Sequence, residues 1–210
     1  ITRSLLKVFW RYRHPVSLIT KNKLILRDLD LLRPLAEQRL VRVAISVTTL
    51  DEDLRRKMEP RTASVEQRLR NIRALSEAGV PVTAMLAPII PGLNEHEIFP
   101  LMEAVAEAGA CSAGYTLVRL NGDIGRIFED WILKNLPDRA AKVLNRICET
   151  HGGSLEEKRW GKRMRGEGVY ADMVSRQFKL ARERYLKGRS LPEYNLELHR
   201  QYKSDQLSLF

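Results

Sequence analysis

Residues 81–94, PVTAMLAPIIPGLN, admit few backbone solutions. The first half is an unbroken apolar run between Gly79 and the Pro91-Gly92 pair, which reads as a strand buried on both faces, as in a parallel sheet. Pro88 and Pro91 have no N–H to give to a ladder, so pairing is expected to stop near Ala87 and the chain to leave the sheet as a loop. Asn94 then reads as the N-cap of the next helix, with Glu97 three residues on completing a capping box. This is one βα unit. In folds built from such units, ligands sit at the loop-bearing end of the strands.

The rest of the chain repeats the unit. Leu5, Leu6, Phe9 and Trp10 place one apolar face on a helix over 2–12, which His14-Pro15 ends. A short strand over 16–20 follows, with Lys21, Asn22 and Lys23 as its loop. Asp28 or Asp30 can cap a helix to about Arg39, striped by Leu31, Leu32, Leu35 and Leu40. Residues 41–47 form the next strand, and Thr48, Thr49 and Asp51 begin its loop. Ser64 and Gln67 form a capping box for a helix with Val65, Leu69, Ile72 and Leu75 at helical spacing. Glu77-Ala78-Gly79 ends that helix, and Glu107-Ala108-Gly109 ends the next in the same way, ahead of a fourth strand over 112–119. Strands separated each time by a helix imply right-handed crossovers and a parallel sheet. Beyond Asn121-Gly122 the pattern is helical only. Pro137 stands at the start of a helix reaching Cys148, and a further helix is expected over about 170–187.

Composition sets outer limits. The chain has 210 residues and 44% hydrophobic content, enough for one domain with a sizeable core and an appended segment. No run of eighteen apolar residues occurs, and basic residues interrupt the first segment, so neither a membrane span nor a signal peptide is expected. Two cysteines without metal spacing fit a reducing cytoplasm. The net charge of +10 is concentrated at the ends: residues 1–45 hold ten Lys/Arg against three Asp/Glu, and 151–210 hold thirteen against eight. Such ends suit a polyanion such as DNA, and equally a solvated basic surface.

The four histidines (14, 96, 151 and 199) are scattered, and neither a phosphate-loop motif nor a nucleophile elbow is present. What remains is the set of strand ends: Thr20-Lys21, Ser46, Glu59-Pro60-Arg61 and Ala87-Pro88 should share one rim. A lysine there offers a point charge for a carboxylate or phosphate, and a serine offers a hydroxyl. The exposed backbone at Ala87-Pro88 suits a flat ring or an extended ligand. Read from residues alone, Lys21 and Arg61 are better taken as solvated loop charges.

The ordered series ITKN, VAISV, MEPRT with a Ser-capped helix, and EAGVPVTAMLAPIIPGLN resembles the radical S-adenosylmethionine enzymes related to spore photoproduct lyase, a branch often labelled DNA repair photolyases. The resemblance covers about residues 1–125, and RMRGEG near Arg163 resembles the branch's C-terminal part. It implies an incomplete parallel α/β barrel over 1–125, a helical extension over 126–203 and a loose tail over 204–210. It also implies a cofactor site in which Thr20 and Lys21 end a strand beside the carboxylate of S-adenosylmethionine, Ser46 touches the cofactor, and Ala87 and Pro88 run along it. The parent reaction would be reductive cleavage to a 5′-deoxyadenosyl radical, then hydrogen abstraction from a substrate, with DNA the implied class.

One departure is large. The family's C-x-x-x-C-x-x-C loop, which holds a four-iron, four-sulfur cluster, is absent, and Cys111 and Cys148 do not replace it. The expectation is therefore a C-terminal piece of such an enzyme that binds neither the cluster nor S-adenosylmethionine tightly, because the cluster holds the amino acid end of that ligand, and that does not catalyse the reaction by itself. The rival reading is a non-catalytic α/β module that docks on DNA or a replication partner. An aldolase-type barrel with Lys21 as a Schiff base needs eight strands, and four are legible. Finally, the terminal Gln206-Leu207-Ser208-Leu209-Phe210 resembles the peptide by which bacterial repair proteins dock on the sliding clamp. Gln206 would supply an amide, and Leu207, Leu209 and Phe210 apolar anchors. The alternative is that Leu209 and Phe210 fold back over an apolar patch.

Overall fold

The computed structural model describes residues 1–156 and 164–201. The proposed clamp peptide, Gln206 to Phe210, lies outside the described residues, as does most of the basic run 158–165. In order, the elements are α1 (Thr2–Arg11), β1 (Val16–Thr20), a 3-10 segment (Lys23–Asp28), α2 (Leu29–Glu37), β2 (Val41–Ser46), α3 (Glu52–Met58), α4 (Val65–Glu77) and β3 (Val82–Ile89). There follow α5 (Ile98–Glu107), β4 (Ser112–Leu117), α6 (Asp123–Asn135), α7 (Pro137–Thr150), α8 (Gly168–Tyr185) and α9 (Leu196–Gln201). The sheet order is β1-β2-β3-β4, all parallel. This is the α/β architecture expected from the βα repeats, a partial (β/α) barrel wall.

Side chains alternate along each strand, and the alternation defines two unlike faces. Val41, Val43 and Ile45 of β2 and Val82, Ala84 and Leu86 of β3 are buried with Leu35, Ile72, Leu75 and Val105 of the helices. On the other face Ile19 is exposed, and Ala44, Thr83 and Met85 are only half-buried. The expectation that residues 82–87 are buried on both faces is therefore corrected: a barrel wall needs helices on its outer face alone. Pairing also does not end at Ala87. The register slips between Leu86 and Ile89, across a cis Ala87-Pro88 peptide, and resumes where Ile89 pairs with Leu117. Proline removes one donor, and the strand passes the gap as a bulge.

Two local expectations change partners. Asp28 occupies the N-cap position of α2 without capping it. Its buried carboxylate is taken by Arg3 and Arg27, and the hydrogen bond from Arg27, more than burial opposes it, holds the group below the usual aspartate range. Loop residues 23–28 and 52–58, which carry no long apolar stripe, form a 3-10 segment and α3, capped by Asn22 and Asp51.

The chain after α8 closes the edge of the sheet where strands begin. Arg189 donates to the carbonyls of Ala106 and Ala110. Arg42 reaches Pro192 O and lies 4.2 Å over the Tyr194 ring, whose hydroxyl donates to Val16 O. The opposite edge, where strands end, carries the loops after β1, β2 and β3.

Both Glu-Ala-Gly joints end in a glycine of positive φ, +77° at Gly79 and +98° at Gly109. A methyl at Gly79 would meet nothing within 4 Å, whereas one at Gly109 would stand 2.5 Å from Ser76 Oγ. Gly79→Ala is therefore expected to cost about 1–2 kcal/mol, the backbone penalty alone. Gly109→Ala should cost clearly more, and chemical denaturation of the two variants side by side checks the difference.

Candidate functional site at the strand-end rim

Glu59, just after α3, joins three strand ends. Its Oε1 accepts from Lys21 Nζ at 2.6 Å, beyond β1, and from the Thr48 hydroxyl at 3.2 Å, beyond β2. Its Oε2 accepts from Arg68 at 2.5 Å. Arg68 is 1% exposed and also donates to the carbonyls of Ser46 and Ala63. Thr48 Oγ1 stands 3.3 Å from Ala87 O, which brings in β3. Burial works against the ionised Glu59, but hydrogen bonds from Lys21 and Arg68 and their charges outweigh it and hold the carboxyl below the ordinary glutamate range. Its stabilisation is in place above that range and is lost as pH falls through the lower folded value.

The residues singled out by sequence do come to this rim, in different roles. Lys21 is about a third exposed, and its ammonium faces Glu59. Thr20 lies in register with Ile45, on the side opposite to Ile19 and Ala44, and its Oγ1 accepts from Asn22 N–H. Ser46 is buried, and alternation puts it on the open face with Ala44. Ala87 and Pro88 offer less free backbone than expected: Thr48 reaches the carbonyl of Ala87, and Asn94 donates to that of Pro88.

Asn94 corrects the capping-box expectation. It stands at the N-terminus of the segment leading into α5 but caps nothing. Its Oδ1 accepts from Ile90 N–H at 2.7 Å, and its Nδ2 donates to Thr48 O and Pro88 O. Glu97 likewise accepts from Leu50 N–H, in the loop after β2. Both side chains thus hold rim loops together.

Beside Pro88 lies an apolar cleft of about 300 Å³, lined by Met58, Ile90, Val118, Leu120, Phe128 and Trp131 among others. Such a slot suits a flat ring. A larger cleft, about 580 Å³, lies at the end of α8 around Arg182 and Arg189, at the closed edge and lined by charged groups. The rim is the chemically differentiated site.

The cysteines do not fit an iron–sulfur cluster. Cys111 precedes β4 and its thiol donates to Val82 O, at the edge where strands begin. Cys148 sits on α7, and burial raises both thiols, away from the thiolate form that iron binds. Among the described residues no group of three His, Cys, Asp or Glu can hold a metal, and no helix is long and apolar enough to cross a membrane.

Asn94→Ala should leave the Ile90 N–H and two carbonyls without partners, at about 2–4 kcal/mol. Asn94→Asp restores the acceptor but sets a carboxylate against carbonyl oxygens, which raises its pKa. Measured against wild type at the same pH, the Asp variant should be less deficient at pH 4 than at pH 7; denaturant melts at both values decide it.

Residues 11–105 match the sequence model of the Radical SAM superfamily. An uncharacterized protein of Mycobacterium tuberculosis is 32% identical over 130 residues, 61% of this chain and 38% of that protein. An uncharacterized protein of Methanocaldococcus jannaschii is 27% identical over 148 residues, 70% of this chain and 54% of that protein. The chain therefore spans about half or less of the length of these relatives. Among solved structures, a spore photoproduct lyase mutant with bound AdoMet and dinucleoside spore photoproduct superposes with a TM-score of 0.57 at 21% identity, over 89% of this chain and 54% of that one. Spore photoproduct lyase complexed with dinucleoside spore photoproduct gives 0.58 at 20%, over 89% and 54%. Residues 11–105 thus resemble the radical SAM superfamily in sequence, and the chain has the fold seen in spore photoproduct lyase.

Proposed function

We propose that the rim binds S-adenosylmethionine, and that the chain serves a radical reaction on a nucleic acid. The observation that carries the reading is the pairing of a part-exposed Lys21, held by Glu59, with an apolar cleft at Pro88 two strands away. Two strand spacings are roughly 10 Å, a span that an amino acid joined to a nucleoside can bridge. Lys21 binds the carboxylate of that ligand. Ser46 lies between the two on the open face, and Pro88, Ile90 and Val118 receive the adenine ring. When reduced by an iron–sulfur cluster, this cofactor supplies a hydrogen-abstracting radical. The described residues do not supply the cluster's ligands, so what this chain contributes is binding and orientation. A nucleic acid substrate is supported by the Lys/Arg excess in residues 1–45 and 151–210.

The test is a ligand titration of the isotope-labelled chain followed by NMR, with S-adenosylhomocysteine as the probe. Amide shifts are expected around residues 20–22, 46–48, 87–90 and 118–120. Lys21→Ala should weaken binding by about 1.5–3 kcal/mol, the worth of a charge-assisted contact. Shifts that avoid the rim, or an affinity unmoved by Lys21→Ala, would return Lys21 to a solvated charge. Anaerobic reconstitution with iron and sulfide should leave the 210-residue chain short of a stoichiometric cluster, as its two separated thiols require. A brown protein with four irons per chain would refute that. DNA binding that falls with salt yet persists in a chain showing no rim shifts would instead favour the non-catalytic module.

A further inference from the structure

Lys21, Arg68 and Glu59 put two positive charges and one negative charge at the rim. Exposure separates them sharply: 35% for Lys21, 11% for Glu59 and 1% for Arg68. A ligand therefore meets the ammonium first, with a fixed carboxylate 2.6 Å behind it. A ligand oxygen hydrogen-bonded to the free side of Nζ would stand about 5 Å from Glu59. At that distance the carboxylate offsets part of the attraction exerted by Lys21, and Arg68, buried behind it, restores some of that part.

The cancellation has a chemical consequence. Attraction to a positive site grows in proportion to the ligand's charge, whereas the cost of removing water from the ligand grows roughly with its square. A weakly positive site thus favours a monoanion, and a strongly positive one favours a phosphate. We propose that Glu59 is the specificity-determining residue of the rim: it holds the charge at Lys21 to the level at which a carboxylate binds and a phosphate does not. The proposal rests on the reading of the rim as a site for a nucleoside-linked amino acid, and it assigns the choice of anion to Glu59. Thr48 and Arg68 keep that carboxylate in place, so the cancellation is fixed in the fold.

Three ligands that share adenosine separate the contributions. S-adenosylhomocysteine carries a carboxylate, adenosine diphosphate carries phosphates, and methylthioadenosine carries neither. For the wild-type chain, the first should bind more tightly than the third, and the second should not. In Glu59→Gln, adenosine diphosphate should gain on the order of tenfold relative to S-adenosylhomocysteine, with methylthioadenosine unmoved. That variant leaves Arg68 buried without a counter-ion and can fail to fold, so the double variant Glu59→Gln/Arg68→Met, which removes both buried charges, is measured beside it. The double variant should shift the ratio in the same direction and by less. An unchanged ratio in a folded variant lacking Glu59 overturns its assignment and leaves the rim site standing. Equal wild-type affinities for S-adenosylhomocysteine and methylthioadenosine overturn both.

Discussion

A guanidinium buried to 1% exposure must be given a counter-ion and acceptors, or the fold does not form around it. Arg68 finds them in Glu59, Ser46 O, Ala63 O and Thr62 Oγ1. The partners lie at the end of β2 and in the turn between α3 and α4, so satisfying one side chain of α4 fixes those two segments against it. The rim inherits its geometry from that requirement. Lys21 is placed by the same carboxylate that neutralises Arg68, and the site therefore cannot shift without disturbing a buried charge.

Asn94 does for β3 what Arg68 does for β2. Pro88 and Pro91 remove donors from the segment that leaves the sheet, and the bulge at Ala87-Pro88 breaks the ladder. An amide side chain, acceptor at one end and donor at the other, replaces the missing pairing by bridging Ile90 N–H, Thr48 O and Pro88 O. The same chemistry that favours Asn at a helix cap, a short polar group able to imitate the backbone, lets it serve here instead.

That substitution shows where sequence reading stops. Strand and helix positions were legible because apolar spacing reports which face is buried, and the order of four segments carried the superfamily resemblance and the clustering of Lys21, Ser46 and Pro88. The partners of polar side chains were not. A cap at Asn94 and a bridge between loops require the same residue type and differ only in tertiary contacts. Asp28 likewise sits where a cap belongs and is drawn off by Arg3, which is distant in sequence. Arg68 did leave a trace: it falls between Val65 and Ile72 on the apolar stripe of α4, where a charge demands a buried partner. The apolar cleft left none, since Met58, Val118 and Phe128 come from three separate elements.

The two edges of the sheet are treated in opposite ways, and this division turns a stable wall into a site. Where strands begin, arginines are consumed: Arg42 on Pro192 and Tyr194, Arg189 on Ala106 and Ala110. Their charges face carbonyls and an aromatic ring, so this edge is occupied by the protein's own groups. Where strands end, the buried charge is matched by Glu59 and the exposed one, Lys21, is only partly cancelled. The superfamily match over residues 11–105 spans β1 to β3 and most of α5, the elements that carry Lys21, Ser46, Glu59 and Pro88. The cleft's second wall, Val118, Leu120 and Phe128, lies beyond it. The rim's charges and the cleft's first wall, Met58, Pro88 and Ile90, thus fall inside the matched stretch, and the second wall outside it.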